Sequence, residues 1–440
     1  MRASTATTLA VFVGPVAAAC NDGGGCAEAP AEVTDATLTV SPAIVTVATL
    51  SWTTDVPRRG RVRYGTAERE LVTTLEAAEA TEHSTLLVGV PAASEIAWAI
   101  EDEGGIELTA GVWTTEALPG ELPPIAVEGG TAQQFMVTTV LGIVTAVVIL
   151  SPEGRVVWYH IDDSGLDTVR ALVAADGNGI LYTVGDVSGE PSADSLLRRV
   201  SWDGTEVSDI AVPYLAQDFA QHFDGTIAAV TAEVRAGTDG EPIKGNEIVE
   251  IQPDGSFESV WSSWDCFDPA VTLSNDPGLG WTWVNAIDVL DWDYVLSVRN
   301  FSSIVWVARE TGACGPILGG ELSTYDFVGE RFLHTHQFHV WDDHMLVFDN
   351  DGAGGNRSRV LEYVLTDTTA TQVWEYLPDP PAFSFVLGDV TRLDDGSTFA
   401  AFSLAGQLDR VDEAGELQFR ASTPLGYAFG YVTLVPNLAR

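Results

Sequence analysis

The chain has 440 residues, 46 % of them hydrophobic and 42 of them glycine, and a formal net charge of −42 from 63 acidic and 21 basic residues. This charge excludes nucleic acid as a partner, because phosphate binding requires a basic face. It predicts a solvated, self-repelling surface. The length predicts one large or two medium domains, and abundant glycine with few helix-favouring runs indicates an all-β protein.

The first 31 residues predict an export signal followed by a flexible tether. Arg2 precedes the apolar stretch LAVFVGPVAAA, which ends in small residues before Cys20. Residues 1–19 therefore resemble a lipoprotein signal peptide. Lipid on Cys20 would anchor the protein to a membrane through residues 20–31, and ordinary signal cleavage is the alternative. In both cases we expect a periplasmic or cell-surface protein.

Export allows disulfides to persist, because the compartments outside the cytoplasm are oxidising. Cys266 and Cys314 are the expected pair, and Cys26 has no obvious partner. This prediction depends on cysteine count and export alone.

Residues 32–118 predict a β-sandwich. Runs such as VTVATLSWTTD and EIAWAIEDEGG alternate apolar and polar residues, with turn residues between them and Trp52 and Trp98 as core candidates. The pattern is similar to that of fibronectin type III modules. Residues 119–124, PGELPP, are expected to form a linker.

Residues 125–440 predict a β-propeller. Turn signals such as Asp176-Gly177, Asp224-Gly225 and Asp395-Gly396 recur between strand-like runs. At about 45 to 55 residues per four-stranded blade, this length gives about six blades, with seven as the alternative. The apolar run from Met136 to Leu150 is too short to span a bilayer and predicts two buried strands.

Four of the seven histidines fall within eleven residues, in the run FLHTHQFHVWDDHMLVFDN: His334, His336, His339 and His344. Histidine can act as a nucleophile, a proton carrier or a metal ligand near neutral pH. Packing, catalysis and metal binding are therefore all open interpretations of this cluster.

Five segments around this cluster together resemble the bacterial arylsulfotransferase family, the PAPS-independent enzymes. In chain order they are WTWVNAIDV, YVLSVRNFSSIVWVARETGACGPILGG, FLHTHQFHVWDDHMLVFDN, SRVLEYVLTDTTATQVWEY and FSFVLGDVTRLDDGSTFAAFS. RVVWYH and QDFAQHFDGTIAAV extend the resemblance over the predicted propeller. The resemblance implies a propeller behind an N-terminal β-sandwich, and transfer of a sulfuryl group from an aryl sulfate to a phenol through a sulfohistidine, without a cofactor.

The resemblance assigns roles to individual positions. His336 takes the place of the nucleophile, and Arg299 in SVRNFS that of the arginine that holds the sulfate, a geometry that suits guanidinium. Asn285 in WVNAI lies beside the site. If the cluster forms a strand, His334 shares the face of His336 and could replace a lost histidine. His339 and His344 are expected to be structural or exposed.

Two positions depart from the family pattern. Trp283 stands where a histidine usually precedes the asparagine, and Gln217 stands where another histidine is usual; His222, five residues later, is not expected to replace it. Gln217 could donate a hydrogen bond but not titrate, and Trp283 could stack on an aromatic ring. A catalytically degenerate propeller, acting as a ligand- or protein-binding module at the cell surface, is therefore the alternative function.

Each site residue also has a structural interpretation. His336 could be a packing residue, Arg299 a buried structural ion pair, and Asn285 a turn or backbone-capping residue. A metal held by His334 and His336 with Asp349 or Asp351 is a further alternative. We expect no metal, because FDN followed by glycine is ordinary for the family.

Overall fold

The computed structural model describes residues 8–10, 32–186, 192–274, 280–351 and 356–439. Within these ranges the protein is all-β, and its one α-helix is the single turn α1 (Ser263–Cys266). The predicted signal peptide and tether, with Cys20 and Cys26, lie outside the described residues except for Thr8–Ala10. No described helix is both long and apolar enough to cross a membrane.

The N-terminal unit consists of two four-stranded antiparallel sheets, in the orders β1-β2-β3-β6 and β5-β4-β7-β8. Alternate residues of β3 are buried, because successive side chains of a strand point to opposite faces. Trp52 and Trp98 are both in the shared core. The strands are β1 (Thr8–Ala10), β2 (Val33–Val40), β3 (Ala48–Arg58), β4 (Gly60–Gly65), β5 (Glu70–Val72), β6 (Ala80–Leu87), β7 (Glu95–Asp102) and β8 (Glu107–Thr114).

Six further sheets follow, numbered here 1 to 6 in chain order, and all their pairings are antiparallel except that of β25 with β29. The strands of the first three sheets follow. Sheet 1 has β10 (Phe135–Leu141), β11 (Thr145–Leu150) and β12 (Val156–Asp162); sheet 2 has β13 (Ala171–Val173), β14 (Ile180–Val184), β15 (Leu196–Val200) and β16 (Val207–Ala211); sheet 3 has β17 (Leu215–Gln221), β18 (Ile227–Ala236), β19 (Pro242–Ile251) and β20 (Phe257–Ser262).

The last three sheets complete this part of the chain. Sheet 4 has β21 (Val284–Leu290), β22 (Asp293–Val298), β23 (Ser303–Val307) and β24 (Cys314–Gly319); sheet 5 has β25 (Asp326–Val328), β26 (Phe338–Trp341), β27 (His344–Asp349), β28 (Arg359–Leu365) and β29 (Thr369–Tyr376); sheet 6 has β30 (Asp389–Arg392), β31 (Thr398–Phe402), β32 (Gln407–Val411) and β33 (Leu417–Ser422). The two strands predicted within the apolar run from Met136 to Leu150 correspond to β10 and β11.

The two ends of this region are interlocked. The early strand β9 (Ala126–Gly129) pairs with β33 of sheet 6, whereas the late strands β34 (Ala428–Phe429) and β35 (Thr433–Val435) pair with β10 of sheet 1. Sheets 1 and 6 are therefore each completed by strands from the opposite end of the region. This arrangement closes the region on itself.

The Asp-Gly turns join neighbouring strands as hairpins. Gly177, Gly225 and Gly396 adopt φ values of 76°, 90° and 83°, which glycine tolerates best. In each of these turns the aspartate also caps the backbone: Asp176 Oδ1 accepts from the N–H of Asn178, Asp224 Oδ1 from that of Thr226 and Asp395 Oδ1 from that of Ser397, at 3.0, 2.9 and 3.0 Å.

The N-terminal unit packs against sheet 1, and their apolar residues form one continuous core. Thr46 Oγ1 donates to the carbonyl of Val157 at 2.8 Å, and Arg69 pairs with Glu153 at 2.6 Å. Farther along the chain, a disulfide joins Cys266 of α1 to Cys314 of β24, with Cα atoms 5.7 Å apart.

Candidate functional site

His336 lies in an irregular segment before β26, so its predicted placement on a strand is wrong. His334 adopts a left-handed φ of 52°, which interrupts the alternation of faces that a strand would impose. The backbone carbonyl of Thr335 accepts hydrogen bonds from Asn285 Nδ2 and Ser297 Oγ, both at 3.0 Å, instead of from a neighbouring strand. These side-chain contacts hold His336 fully buried.

The hydrogen bonds of Asn350 fix the tautomer of His336. Asn350 Nδ2 donates to the carbonyls of Ser384 and Leu387 at 2.6 and 2.7 Å, so its Oδ1 is the atom that faces His336 Nδ1, 2.8 Å away. Because Oδ1 can only accept, Nδ1 carries the proton. The lone pair therefore lies on Nε2, which makes no hydrogen bond with any described residue.

The His336 ring is neutral at physiological pH. Burial lowers its pKa to about 3, the positive charge of Arg299 contributes in the same direction, and the hydrogen bond to Asn350 opposes the shift. A neutral imidazole with a free Nε2 lone pair is the form that can act as a nucleophile.

Arg299 is buried at the start of a 3₁₀ turn, Arg299–Phe301, that follows β22. Its Nη1 donates to Asn300 Oδ1 at 3.0 Å, and its Nη2 lies 3.4 Å from the carbonyl of Phe385. The Phe385 carbonyl lies between the Ser384 and Leu387 carbonyls that accept from Asn350, so Arg299 and the partner of His336 contact the same loop. The site thus combines a neutral imidazole with a fixed cation.

Strained backbone surrounds these two residues. Trp283, Ser302, His334 and Leu387 have φ values of 51°, 50°, 52° and 58°. Positive φ is unfavourable for bulky residues and costs roughly 1 to 3 kcal/mol each, and such conformations cluster at functional sites.

Each strained residue contacts the site through its backbone. The carbonyl of Trp283 accepts from the N–H of Arg299 at 3.1 Å, the N–H of Ser302 donates to the carbonyl of Arg299 at 2.9 Å, and the N–H of His334 donates to Ser302 Oγ at 3.0 Å. The carbonyl of Leu387 accepts from Asn350, as above. The strain is therefore coupled to the positions of Arg299 and His336.

Tyr431 connects Asn285 and Gln217 to the same region. Its hydroxyl donates to the backbone carbonyl of Asn285 at 2.8 Å and lies 3.4 Å from Gln217 Oε1, while its ring centroid is 6.5 Å from that of His336. Asn285 Oδ1 is buried and has no hydrogen-bond partner among the described residues. The Trp283 ring is half-buried, with Lys244 Nζ 5.8 Å from its centroid.

Arg170, Asp218 and Asp389 form a buried ionic group next to the Tyr431 ring. Arg170 pairs with Asp218 at 3.2 Å and with Asp389 at 3.5 Å, and its guanidinium lies 5.9 Å from the centroid of the Tyr431 ring. Burial raises the pKa of Asp389 to about 7 and raises that of Asp218, and the charge of Arg170 opposes both shifts.

The same group collects residues that lie in, or immediately before, one strand of each of the six sheets. Asp218 Oδ2 accepts from the N–H of Ile287 at 3.0 Å and from Gln337 Nε2 at 2.7 Å, and Asp389 Oδ2 accepts from the N–H of Val432 at 2.7 Å. Asp218, Ile287 and Asp389 lie in sheets 3, 4 and 6, whereas Val432, Arg170 and Gln337 immediately precede strands of sheets 1, 2 and 5. The six sheets therefore meet at one buried polar centre, and Gln337 of this centre follows His336 in the chain.

The other clustered histidines have different surroundings. His334 is partly exposed, and its Nδ1 lies 3.6 Å from Asp351. His339 Nδ1 accepts from the N–H of Arg392 at 3.0 Å, and His344 Nδ1 pairs with Glu362 at 2.8 Å. His339 and His344 both stack on the Trp341 ring rather than joining His336.

Two of the residues considered in the sequence have other partners. His222 is buried against Tyr294, with Nε2 3.0 Å from the hydroxyl, and lies in a different cluster from Gln217. Asp349 accepts from Arg359 Nε at 2.8 Å and from the N–H of Leu333 at 2.9 Å. In the part of the chain that the structure describes, no three His, Cys, Asp or Glu side chains group as metal ligands.

Asn350 and Tyr431 are the site residues that the sequence did not identify. Asn350 belongs to the FDN motif, so its position was visible, but its role depends on carbonyls 34 and 37 residues away in sequence. Tyr431 reaches the site from the far end of the chain, 146 residues from Asn285, and no local pattern marks it.

The family model described as Arylsulfotransferase (ASST) matches residues 128–423. No curated protein matches the sequence.

Several solved structures share features with the chain. A protein of unknown function from Bacteroides caccae is 12 % identical, with 69 % of this chain and 99 % of that chain covered and a TM-score of 0.44. An auxiliary nutrient binding protein from Bacteroides ovatus is 10 % identical, with 88 % and 82 % covered and a TM-score of 0.38. At these TM-scores the likenesses carry no argument about function. The family match spans more than half of the sequence, and the chain therefore belongs to the arylsulfotransferase family.

Proposed function

We propose that this protein is an exported arylsulfotransferase that passes a sulfuryl group from an aryl sulfate to a phenol through a sulfohistidine at His336. The observation that carries the proposal is the buried, neutral His336 ring, whose Nδ1 proton is held by Asn350 and whose Nε2 has no hydrogen-bond partner among the described residues. A ring needed only for packing would not require an oriented lone pair.

In the first half-reaction, the lone pair of His336 Nε2 attacks the sulfur of the aryl sulfate. An N–S bond forms as the S–O bond to the aromatic ring breaks, and the bonding electrons leave with the phenolate, which takes a proton from solvent. The imidazole keeps its Nδ1 proton, so the sulfated ring carries positive charge that Asn350 Oδ1 stabilises.

In the second half-reaction, the acceptor phenol binds after the first phenol has left. Its oxygen attacks the sulfur, the N–S bond breaks, and the electron pair returns to Nε2, while the phenol proton is released to solvent. Arg299 Nη2 lies 3.4 Å from the carbonyl of Phe385, in the loop whose Ser384 and Leu387 carbonyls hold Asn350, and its guanidinium would neutralise the sulfuryl oxygens in both steps.

Gln217 and Trp283 make this site poor at proton donation. The family usually has histidines at these positions, and neither an amide nor an indole can protonate a leaving phenolate near neutral pH. We therefore propose that the enzyme prefers aryl sulfates whose phenols are acidic, since such phenolates leave without assistance. Trp283 would supply an aromatic face for the donor or acceptor ring.

The same replacements support the second candidate function, a binding module that holds an anionic aromatic ligand without transferring its sulfuryl group. In that case Arg299 and Trp283 would bind the sulfate and the ring, and His336 would remain unmodified. The two functions share a site and differ in whether a covalent bond forms.

The six sheets and their shared polar centre also support our interpretation of residues 125–440 as a six-bladed propeller with the site at its axis. Strands β2 to β8, which build the two packed sheets between residues 32 and 118, support the fibronectin type III-like β-sandwich. We also propose, from the sequence of residues 1–31, that the protein is exported with a lipid on Cys20. Export would place the site in the periplasm or at the cell surface.

A turnover assay tests the proposed enzyme. A series of phenyl sulfates with electron-withdrawing ring substituents is incubated with the protein and a phenol acceptor, and the rate is plotted against the pKa of the leaving phenol. The proposal predicts a steep negative slope. Absence of turnover with the most activated donor, together with tight binding of that donor, would establish the binding module instead.

A further inference from the structure

The only lysine of the chain, Lys244, lies on a hairpin that projects from sheet 3. Strands β18 and β19 of this hairpin have ten residues each, and no other described strand of the six sheets has more than eight. Beyond Thr231 and Glu247 the two strands pair only with each other, because their pairing with β17 and β20 ends there. Lys244 therefore lies outside the four-stranded part of its sheet.

Hydrogen bonds attach this hairpin to the segment that leads into β21 of sheet 4. The N–H of Trp281 donates to the carbonyl of Lys244 at 2.9 Å. Asn246 shares the face of β19 that carries Lys244, because alternate residues of a strand point the same way. Its Oδ1 accepts from the N–H of Val284 and from Thr282 Oγ1, both at 2.8 Å. This face of β19 is therefore turned toward the segment before β21.

The same segment supports Arg299 of the proposed sulfate site. The carbonyl of Trp283 accepts from the N–H of Arg299 at 3.1 Å. Asn300 Nδ2 donates to the carbonyl of Gly280 at 3.0 Å, and Asn300 Oδ1 accepts from Arg299 Nη1 at 3.0 Å. Lys244 and Arg299 therefore contact one short segment from two neighbouring sheets.

The Lys244 side chain runs along this segment to the Trp283 ring. A β-carbon at Gly280 would lie 2.9 Å from Lys244 Cε, and Lys244 Nζ is 5.8 Å from the centroid of the Trp283 ring. Lys244 and Trp283 are both half-buried. A cation at this distance is attracted by the face of an indole ring. Two cations are thus next to Trp283, with Arg299 at its backbone and Lys244 at its ring.

From this arrangement we infer that Lys244 selects aromatic substrates that carry a second anionic group, such as a carboxylate, in addition to the sulfate. The inference rests on the proposed function, in which Arg299 binds the sulfate and Trp283 the aromatic ring. A rigid ring separates its substituents, so one ligand can offer the sulfate to Arg299 and the carboxylate to Lys244. An ammonium group has three N–H donors, so Lys244 can bind this carboxylate and keep its contacts within the protein.

The charge of the whole protein makes this selection unexpected without Lys244. With a formal net charge of −42, the protein as a whole repels anions. A second negative charge on the ligand should therefore weaken binding unless a local cation meets it. The sign of the charge preference thus reports directly on Lys244.

Binding of aryl methanesulfonates tests this inference without sulfuryl transfer. In phenylmethanesulfonate a CH₂ group replaces the oxygen between the ring and sulfur, so the S–O bond that the reaction would break is missing. Its para-carboxylate and para-carboxamide derivatives have nearly the same shape and differ in charge. By titration calorimetry we expect the parent protein to bind the carboxylate about fivefold more tightly than the carboxamide.

Lys244→Met removes the positive charge and keeps an unbranched side chain beside Trp283. We expect this variant to bind the carboxylate no more tightly than the carboxamide, and to bind the carboxamide within about twofold of the parent. Arg235→Met is the matched control, because Arg235 lies on the same hairpin but its guanidinium is 4.7 Å from the centroid of the Trp264 ring instead. It removes the same charge and should keep the preference of the parent. Thermal unfolding checks that both variants are folded.

The outcomes separate this inference from the proposed function. Equal binding of the two derivatives by the parent, or a preference that Lys244→Met retains, would overturn the inference and leave the proposed function intact. Equal loss of affinity for both derivatives in Lys244→Met would also overturn it, because a structural role does not distinguish ligand charge. If phenylmethanesulfonate and both derivatives fail to bind the parent, the proposed sulfate site is wrong and the inference falls with it.

Discussion

His336 and His344 lie eight residues apart in one histidine-rich run, yet their surroundings differ in kind. His344 stacks on Trp341 and pairs with Glu362, and Glu362 in turn pairs with Arg392. His336 is fully buried, has one oriented nitrogen and one without a partner in the described structure, and lies among strained backbone.

The comparison shows that two histidines of one run can differ in chemical role because their surroundings differ. The His344 cluster satisfies its polar groups with one another, which is what a stable partly exposed packing cluster requires. The His336 site leaves Nε2 and Asn285 Oδ1 unsatisfied and maintains backbone conformations that cost free energy. Unsatisfied polar atoms and strained backbone lower the stability of the fold. A site that keeps them is better explained by ligand binding than by packing.

The largest effect that this comparison predicts is on turnover after removal of the His336 ring. We expect His336→Ala to lower the rate of sulfuryl transfer by at least about 10³-fold, because the nucleophile is lost. His344→Ala and His339→Gln are the matched controls and should retain the parent rate within about twofold. Equal losses in all three variants would remove the distinction between the two histidine environments.

Removal of the Arg299 cation should produce the next largest effect. Arg299→Ala is expected to lower kcat/KM by roughly 10²- to 10³-fold, because a developing anionic charge loses its counter-charge. Arg299→Lys should recover only part of the loss, since lysine lacks the planar fork of donors. Steady-state kinetics on one activated aryl sulfate measures both variants; full activity in Arg299→Ala would support the structural interpretation of this residue.

Asn350 tests whether the tautomer of His336 matters. Asn350→Ala leaves the Nδ1 proton without its acceptor, and we expect kcat to fall by about 10²-fold with a smaller change in KM. Asn350→Asp keeps an acceptor and should recover part of kcat. A purely structural role would lower the amount of folded protein while leaving kcat per folded molecule unchanged.

Replacing Gln217 with histidine tests the proposed lack of a proton donor. Gln217→His should increase turnover of unactivated phenyl sulfate by about 10-fold and change turnover of the most activated donor little, because only the poor leaving group needs protonation. The slope of rate against leaving-group pKa should become shallower. An unchanged slope would show that the lack of a proton donor at position 217 does not limit turnover.

The pKa of His336 also predicts a pH dependence of stability. The pKa of His336 is about 3 in the folded protein and lies below the ordinary value of 6.5. Between pH 6.5 and pH 3 the unfolded chain therefore binds more protons than the folded chain, so the free energy of unfolding falls as the pH decreases. Between about pH 7.5 and pH 5 this group should lower the free energy of unfolding by about 2 kcal/mol. Denaturant unfolding of the parent and of His336→Gln isolates the contribution, because the variant lacks it; parallel pH profiles would contradict the buried neutral ring.

Much of this architecture follows from sequence patterns. Alternating apolar residues predicted β-strands, Asp-Gly pairs such as Asp224-Gly225 fall at hairpin turns, and residues 135–150 form two strands as expected. These features depend on local chemistry, namely strand periodicity and the tolerance of glycine for positive φ.

The details of the site could not be predicted in the same way. The left-handed conformation of His334 opposes its local preference and is held by Ser302, 32 residues away in sequence. Asn350 and Tyr431 act through contacts that only the closed arrangement of sheets creates. Family resemblance therefore predicted His336 and Arg299 as site residues, whereas the orientation of the His336 ring required the structure.

The central claim is that Nε2 of His336 forms a covalent bond to sulfur. Its most direct test is rapid mixing of the protein with excess activated aryl sulfate and no acceptor, followed by quenching in base, proteolysis and mass spectrometry of the peptide that contains residues 334–344. The account predicts a burst of phenol that matches the enzyme concentration and a sulfated histidine at His336, which a phenol acceptor then removes. Phenol release without any sulfated histidine, or sulfation at His339 or His344 instead, would contradict it.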